Sequence, residues 1–585
     1  MIGAMRHRSD IVSGTVSAPE AGIHAGWIAH PGSQAARQST AGRGDVQIVL
    51  SGECHDAGAG QEVSLLNRYQ LDGEDFVAGL NGLFAGLLID RTRGRAVLFN
   101  DRFGSEPLYV FEKEGETYFA SEAKALLAVL PELREFDDTG VAQFLAFGST
   151  LGEHTLFRGL RRLPGGSRCC FARGSPPQRE RYFTPAEWER LPTLPAPEFE
   201  ARFASTFRDL LPSYLRDEQP VALSLTGGLD TRMIVACSPP ALIPALAYTY
   251  AAEGSDNLLD LRIAQRIAAL RGIPHYALRI GAEFVSEFGI QLDRTVRTTD
   301  GCAGVLGAHE IYLSEQARQL APVRLTGNFG SEVLRSMSTF KRNGPDSRLL
   351  DPGVAARVDA VVAEQSARSV HPVTHAAFEE VPWHLFGALA AGRSQLSVRT
   401  PFMDNKIVEL AYRAPPHLRR TPEPALRLFH AGDAALAALP TDRGIAWPKR
   451  GLAGQLLRLW CTATFKLDYW HKEGLPDALS RLDTSIGSLS YLGMLGLHKF
   501  LPYRGWFRGA LAPYAAAVID DSRTRHMAFW DGRALGTVVS DHVAGRRNAL
   551  RDIHAVLTLE AVHRLLLDSA AYRVDDSAQA VGGYR

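Results

Sequence analysis

The chain is 585 residues long, far more than one hydrophobic core supports, so two or more domains are required. Its apolar content of 45% and charged content of 22% are ordinary for a globular protein, and 64 basic residues are balanced by 64 acidic ones, which argues against a nucleic-acid or membrane partner. Six cysteines without Cys-x-x-Cys spacing argue against a thiolate metal site or a disulfide framework, and no apolar run reaches membrane-spanning length. Arg6 and Arg8 are not followed by an apolar h-region, so no signal peptide is expected. The expected setting is a reducing cytoplasm.

In chain order, short strands are predicted around residues 22–29 and 46–51. A buried strand follows at Leu83–Asp90, another at Arg95–Asn100 after the turn Thr92-Arg93-Gly94, and a hairpin at residues 107–120 around Gly115. Ser121 opens a helical pattern through Leu127. Strands this closely spaced predict an antiparallel, sheet-rich first domain.

Three motifs here carry a family resemblance. They are Asn81-Gly82-x-Phe84-Ala85, then Asp101-Arg102 and Gly104 ahead of Pro107-Leu108-Tyr109, then Ala120-Ser121-Glu122-x-Lys124-Ala125-Leu126. Together they resemble the N-terminal glutaminase domain of asparagine synthetases, and Phe157–Gly166 resembles its closing segment. That resemblance implies the N-terminal-nucleophile (Ntn) hydrolase fold. In glutamine-using members a cysteine exposed by methionine removal attacks the amide, with its own α-amine as base. The matching position here holds Ile2, a hydrocarbon that cannot attack, so a degenerate glutaminase is expected. The alternative is a functional glutamine-dependent enzyme whose start lies elsewhere. Cys54, beside Ser51-Gly52-Glu53, is internal and reads as a buried sheet cysteine.

Residues 176–197 are rich in Pro, Arg and Glu and read as an interdomain linker. The domains are therefore expected at 1–190 and 198–585, the second with a nucleotide core to about residue 345 and a helical part beyond it.

Phe199, Phe203, Phe207, Leu210 and Leu211 recur at helical spacing. The run Val221–Leu225 then ends in Thr226-Gly227-Gly228, and a helical pattern begins at Leu229-Asp230-Thr231. This is a strand, a tight glycine turn and a helix start, which together offer N–H groups and a positive dipole to an anion. A carboxylate at Asp230 suits Mg²⁺. No Gly-Lys-Ser/Thr follows, so this is not a Walker A loop; alone it is equally an ordinary strand–helix turn. Strand Leu242–Tyr250, helix Asp260–Leu270 closed by Gly272, and strand His275–Ile280 predict a parallel sheet covered on both faces, with ligands at its carboxyl ends. A second strand, glycine loop and helix follow at Ala321–Leu334.

The segment Thr226–Thr231 resembles the Ser-Gly-Gly-x-Asp-Ser pyrophosphate loop of N-type ATP pyrophosphatases, with threonine at both serines. The asparagine synthetase pattern continues through Asp260-x-x-x-Ala264 and into Thr326–Glu332, which resembles Ser-Gly-Glu-Gly-Ser-Asp-Glu with Ser331 at the metal-binding aspartate. It extends to Arg399-x-Pro401-Phe402-Met403-Asp404. The fold implied is α/β: an Ntn-like antiparallel sandwich, then a parallel-sheet ATP pyrophosphatase core with a helical extension. The resemblance implies ATP and Mg²⁺. Leu225, Thr226, Gly227, Gly228, Leu229, Asp230, Thr231, Thr326, Gly327 and Glu332 would surround the nucleotide phosphates, and backbone near Tyr248 the adenine. Asp230 and Glu332 are the implied metal ligands. Arg399 and Asp404 would tie the helical half to the site, or form a buried structural pair. Lys449 would neutralise charge on adenylate and pyrophosphate, unless it is a solvated surface lysine.

The reaction implied is activation of a small-molecule or peptide carboxylate as acyl-AMP, followed by attack of a nitrogen nucleophile. Without the cysteine, that nitrogen is expected to be free ammonia or an amine of the substrate, as in relatives that form β-lactams or macrolactam peptides. A nucleotide-binding scaffold is the non-enzymatic alternative, and a homodimer is a compatible assembly.

Overall fold

The computed structural model describes residues 1–39, 42–43, 45–55, 61–447, 451–473 and 495–568. Strand β5 (Gly82–Asp90) is buried at all nine positions, which explains why its sequence lacks alternation. It lies antiparallel between β4 (Val46–Cys54) and β6 (Arg95–Asn100). Strands β3 (Gly42–Arg43), β10 (Ser167–Ala172) and β11 (Gln178–Arg181) complete a six-stranded sheet in the order β11-β10-β6-β5-β4-β3. One face, with Leu50, Phe84, Leu88 and Phe99, packs on the helix Gln61–Asp72 and the turn that follows. The other, with Ala85, Leu87, Ile89 and Leu98, meets the hairpin β1 (Val12–Ala18) and β2 (Ile23–Ala29). It also meets a small sheet of β7 (Tyr109–Lys113), β8 (Glu116–Ala120) and β9 (Arg161–Arg162).

Residues 176–197 do not form the expected linker. Strand β11 pairs with β10, Arg181 opposite Ser167, and its four side chains face solvent, which is what made the composition linker-like. Phe183 and Trp188 then turn inward, their rings 4.6 Å apart, and extend the core.

The second sheet is parallel, with five strands: β12 (Val221–Ser224), β13 (Leu246–Ala252), β14 (His275–Ile280), β15 (Val323–Thr326) and β16 (Ser397–Arg399). Their order is β14-β13-β12-β15-β16. The chain leaves β12 first toward β13 and β14, then returns to its other side for β15 and β16. The gap between the carboxyl ends of β12 and β15 is therefore a topological switch point, where such sheets bind ligands. Val221, Leu223 and Leu225 point into one core, with the helices Ala196–Leu215, Asp230–Cys237 and Leu259–Arg271. Ala222 and Tyr248 point into the other, shared with the helices Phe288–Thr299, His309–Leu320 and Leu550–Val562. That second core also takes in Phe144 and Phe147 of the helix Asp138–Phe147, so the N-terminal and parallel-sheet regions share buried apolar surface. Cys54 is a buried cysteine outside any disulfide, at the end of β4, as its sequence predicted. Among the described residues no helix is long and apolar enough to cross a membrane.

Candidate functional site

Both glycine loops sit at the switch point. After β12, the first turn is laced by its two threonines: the Thr226 N–H donates to Thr231 Oγ1 at 3.2 Å, and the Thr231 hydroxyl donates to the Thr226 carbonyl at 3.3 Å. Leu225 belongs to the sheet, its N–H donating to the Tyr248 carbonyl at 2.8 Å and its carbonyl accepting the Thr249 hydroxyl at 2.7 Å. The Tyr248 carbonyl is thereby spent on the sheet, and its side chain is fully buried. A Cβ on Gly228 would meet only Thr226 Oγ1, at 3.4 Å, so that face of the turn is open to an approaching oxygen. Leu229 precedes the helix Asp230–Cys237, whose start adds favourable dipole. The Gly228 N–H donates to Thr226 Oγ1 at 3.3 Å, so a phosphate oxygen approaching this face would have to share donors that the turn holds internally.

The second loop lies directly on the first. A Cβ on Gly327 would stand 2.7 Å from the Thr231 nitrogen, and one on Gly330 would stand 2.6 Å from Asp230 Cγ. These glycines are required by packing of loop on loop. Thr326 is buried, its hydroxyl accepting the Asn328 N–H at 3.2 Å, and Phe329 holds a left-handed φ of 73°.

The expected metal ligands are arranged otherwise. Both Asp230 oxygens accept from Arg335, Nη1 to Oδ1 and Nη2 to Oδ2, each at 2.8 Å, with both side chains largely buried. Glu332 Oε2 accepts the Ser331 hydroxyl at 2.9 Å. Burial holds the Glu332 carboxyl above its ordinary range, and the charges of Glu380 and Asp230 add to this. As placed, Asp230 and Glu332 do not fit a divalent ion with near-octahedral oxygen coordination.

Two further side chains, Asp260 and Arg232, bear on the turn, and a third, Glu380, lies near Glu332 of the second loop. Asp260 Oδ1 accepts the Gly227 N–H at 3.0 Å; burial, then the nearby Asp442 carboxylate, push its carboxyl up to about 7. Arg232, fully buried, donates to the carbonyls of Gly227 (3.3 Å), Leu436 (3.1 Å), Leu439 and Pro440 (3.4 Å). It stitches the turn to the helical region. Glu380 sits on a π-helical turn, His375–His384, and accepts from the Thr339 N–H and hydroxyl and the Phe340 N–H.

The structure places Arg399 and Asp404 where the N-terminal sheet region meets the parallel-sheet region. Arg399 Nε and Nη2 donate to Glu53 at 2.5 and 3.0 Å, Nη2 also to Asp217, and Nη1 to the carbonyls of Tyr214 and Arg216 at 3.2 and 3.3 Å. Asp404 accepts from Asn81 Nδ2 at 2.8 Å, from the Tyr214 hydroxyl at 3.1 Å and from the Lys406 N–H at 2.9 Å. Neither pairs with the other in these bonds. Between them, Thr400 reaches the second loop through its hydroxyl, which donates to the Asn328 carbonyl at 2.7 Å. Lys449 lies outside the described residues.

Glu53 and Arg399 also line a cavity of about 1300 Å³ whose walls include Ile2, His55, Glu106 and Asp300. Glu106 meets Arg393 at 3.0 Å, and burial pushes its carboxyl up to about 7. Sequence reasoning missed Arg335, Arg232 and Asp260 as site residues. For Arg335 one local signal existed: it follows Ser331 by four residues, one helical turn on.

Comparison with known proteins gives partial matches. Residues 51–183 match the family model of the glutamine amidotransferase domain. The chain is 23% identical over 282 residues to the glutamine-hydrolyzing asparagine synthetase 1 of Bacillus subtilis, covering 47% of this chain and 43% of that one. It is 25% identical over 295 residues to a putative glutamine-hydrolyzing asparagine synthetase of Mycobacterium bovis, covering 48% and 44%. It is 22% identical over 379 residues to asparagine synthetase B of Escherichia coli, covering 60% and 57%. The chain thus spans about half the length of these curated relatives. Among solved structures, the glutamine phosphoribosylpyrophosphate amidotransferase of B. subtilis aligns over 41% of this chain and 47% of its own, at 14% identity and a TM-score of 0.17.

Proposed function

We propose that this chain, a member of the asparagine synthetase family, is an ATP-dependent ligase that activates a carboxylate as acyl-AMP and passes the acyl group to a nitrogen nucleophile. The observation that carries this reading is the stacking of two glycine loops at the switch point between β12 and β15. The open face of Gly228 and the helix start at Asp230 hold the polyphosphate, and Arg232 keeps the turn fixed to the helical half. ATP supplies the leaving group; the protein supplies position and charge neutralisation. Lys449 is proposed as a further neutralising charge. Arg399 and Asp404 act through position, holding the Thr400–Asn328 contact against the first domain.

The nitrogen is proposed to come from free ammonia or from an amine of the substrate. Ile2 packs its apolar side chain toward Gly26 of β2: a Cβ there would stand 2.4 Å from its Cδ1. The substrate is a small-molecule or peptide carboxylate.

Exchange of labelled pyrophosphate into ATP, dependent on an added acid, is the expected result with the purified protein. Formation of ADP, or no turnover of ATP with a broad panel of acids, overturns the adenylation reading. Release of glutamate from glutamine overturns the proposed nitrogen source.

A pH dependence follows from Asp260. Its carboxylate competes with phosphate for the Gly227 N–H and repels it, and burial and Asp442 keep it protonated up to about pH 7. Asp260→Asn should therefore tighten pyrophosphate binding by about fivefold near pH 8 and hardly at all near pH 6, a like-charge effect of about 1 kcal/mol. Calorimetry at both values checks this. An equal gain at both rules out titration of Asp260 as the cause.

A further inference from the structure

We propose that Arg335 is the resident cation of the phosphate site: its guanidinium occupies the place beside Asp230 that a coordinated divalent ion would need, so polyphosphate binds here without a metal held by the protein. The inference rests on the nucleotide-binding reading above and deepens it.

The argument starts from the donor set. Asp230 stands at the first position of the helix after the Gly227-Gly228 turn, where a carboxylate repels an incoming phosphate unless a cation lies between them. Both of its oxygens are engaged by one guanidinium at 2.8 Å. On the remaining side the backbone of Gly330 closes over it, so near that even a Cβ would stand 2.7 Å from Oδ1. A Mg²⁺ ion needs oxygen ligands at roughly 2.0–2.1 Å in near-octahedral array. It would have to break the bidentate pair and then sit beside the displaced arginine, a repulsive arrangement. The facing position offers the Ser331 hydroxyl, and that hydroxyl is donated to Glu332.

The guanidinium supplies what the ion would have supplied. Its planar fork matches phosphate geometry, and it carries N–H donors beyond the two spent on Asp230. Arg335 reaches Asp230 from 105 residues away, on the helix Gly330–Arg335 that also contributes Gly330. The same short element therefore delivers the cation and the close backbone.

The test measures binding of ATP, and separately of inorganic pyrophosphate, to the full chain by calorimetry, with EDTA and with Mg²⁺. The expected result is dissociation constants within about threefold of each other in the two solutions. Arg335→Met should weaken binding in EDTA by about tenfold or more, the loss of a charge-assisted contact, and Mg²⁺ should then restore part of it. Asp230→Asn keeps shape and removes only charge, so it serves if the arginine variant does not fold. It should leave binding in EDTA unchanged or tighter, whereas a metal-ligand role for Asp230 demands that it weaken binding in Mg²⁺. Wild-type binding tightened more than about tenfold by Mg²⁺, or abolished by Asp230→Asn, overturns this inference and leaves the ligase reading standing. Absence of binding in both solutions overturns the ligase reading, and this inference with it.

Discussion

Arg399→Met is expected to destabilise the protein by about 3–5 kcal/mol, the usual cost of removing one partner from a buried ion pair. Arg399 is 3% exposed and is held by Glu53 of the first domain and Asp217 of the second. Burial works against its charge, but the two carboxylates outweigh that and hold its pKa above the ordinary value. Methionine matches the stem and leaves both carboxylates stranded in a poorly solvated seam. The loss should appear as an earlier thermal transition and as separate unfolding of the two domains. The triple variant Arg399→Met, Glu53→Gln, Asp217→Asn should recover most of the loss, because all three charges then leave together. If the single variant melts with the wild type, the clamp contributes nothing and the domains are joined by apolar burial alone.

Gly327→Ala is expected to lower acid-dependent ATP–pyrophosphate exchange by about 100-fold or more while leaving the fold intact, since displacements near 1 Å have such effects on reacting groups. The added methyl would stand 2.7 Å from the Thr231 nitrogen, 2.8 Å from Thr231 Cγ2 and 3.0 Å from Asp230 Cβ. Two of these atoms belong to or adjoin the backbone of the first loop, so relief requires moving one loop off the other. That shift also carries Asp230 away from Arg335. Gly505→Ala is the control, because nothing lies within 4 Å of a Cβ there. Exchange within a few-fold of wild type in Gly327→Ala would mean that the first loop works without the second.

Much of the fold was legible. Strands β6 and β14 fall where periodicity and turn residues put them. The glycine turn between β12 and the helix Asp230–Cys237 was readable as a strand–turn–helix from its residues alone, because turn chemistry and helix start are adjacent in sequence. The segment at 176–197 was not legible: β11 is exposed along its whole length, so it carries no burial period, and only pairing with β10 reveals it. Tyr248 was placed on the right strand, but which of its backbone groups remain available depends on β12, which takes its carbonyl.

By itself the sequence determined the fold class and most of the strand–turn–helix elements, β11 excepted, since these depend on neighbours within a few residues. Only the tertiary structure decided the partners of the charges. Arg399 meets Glu53 across 346 residues, and Arg335 meets Asp230 across 105. With 64 residues of each sign, composition cannot choose among pairs. The choice follows from which side chains the sheet order and loop packing bring together where water is excluded, and there a wrong pairing costs several kcal/mol.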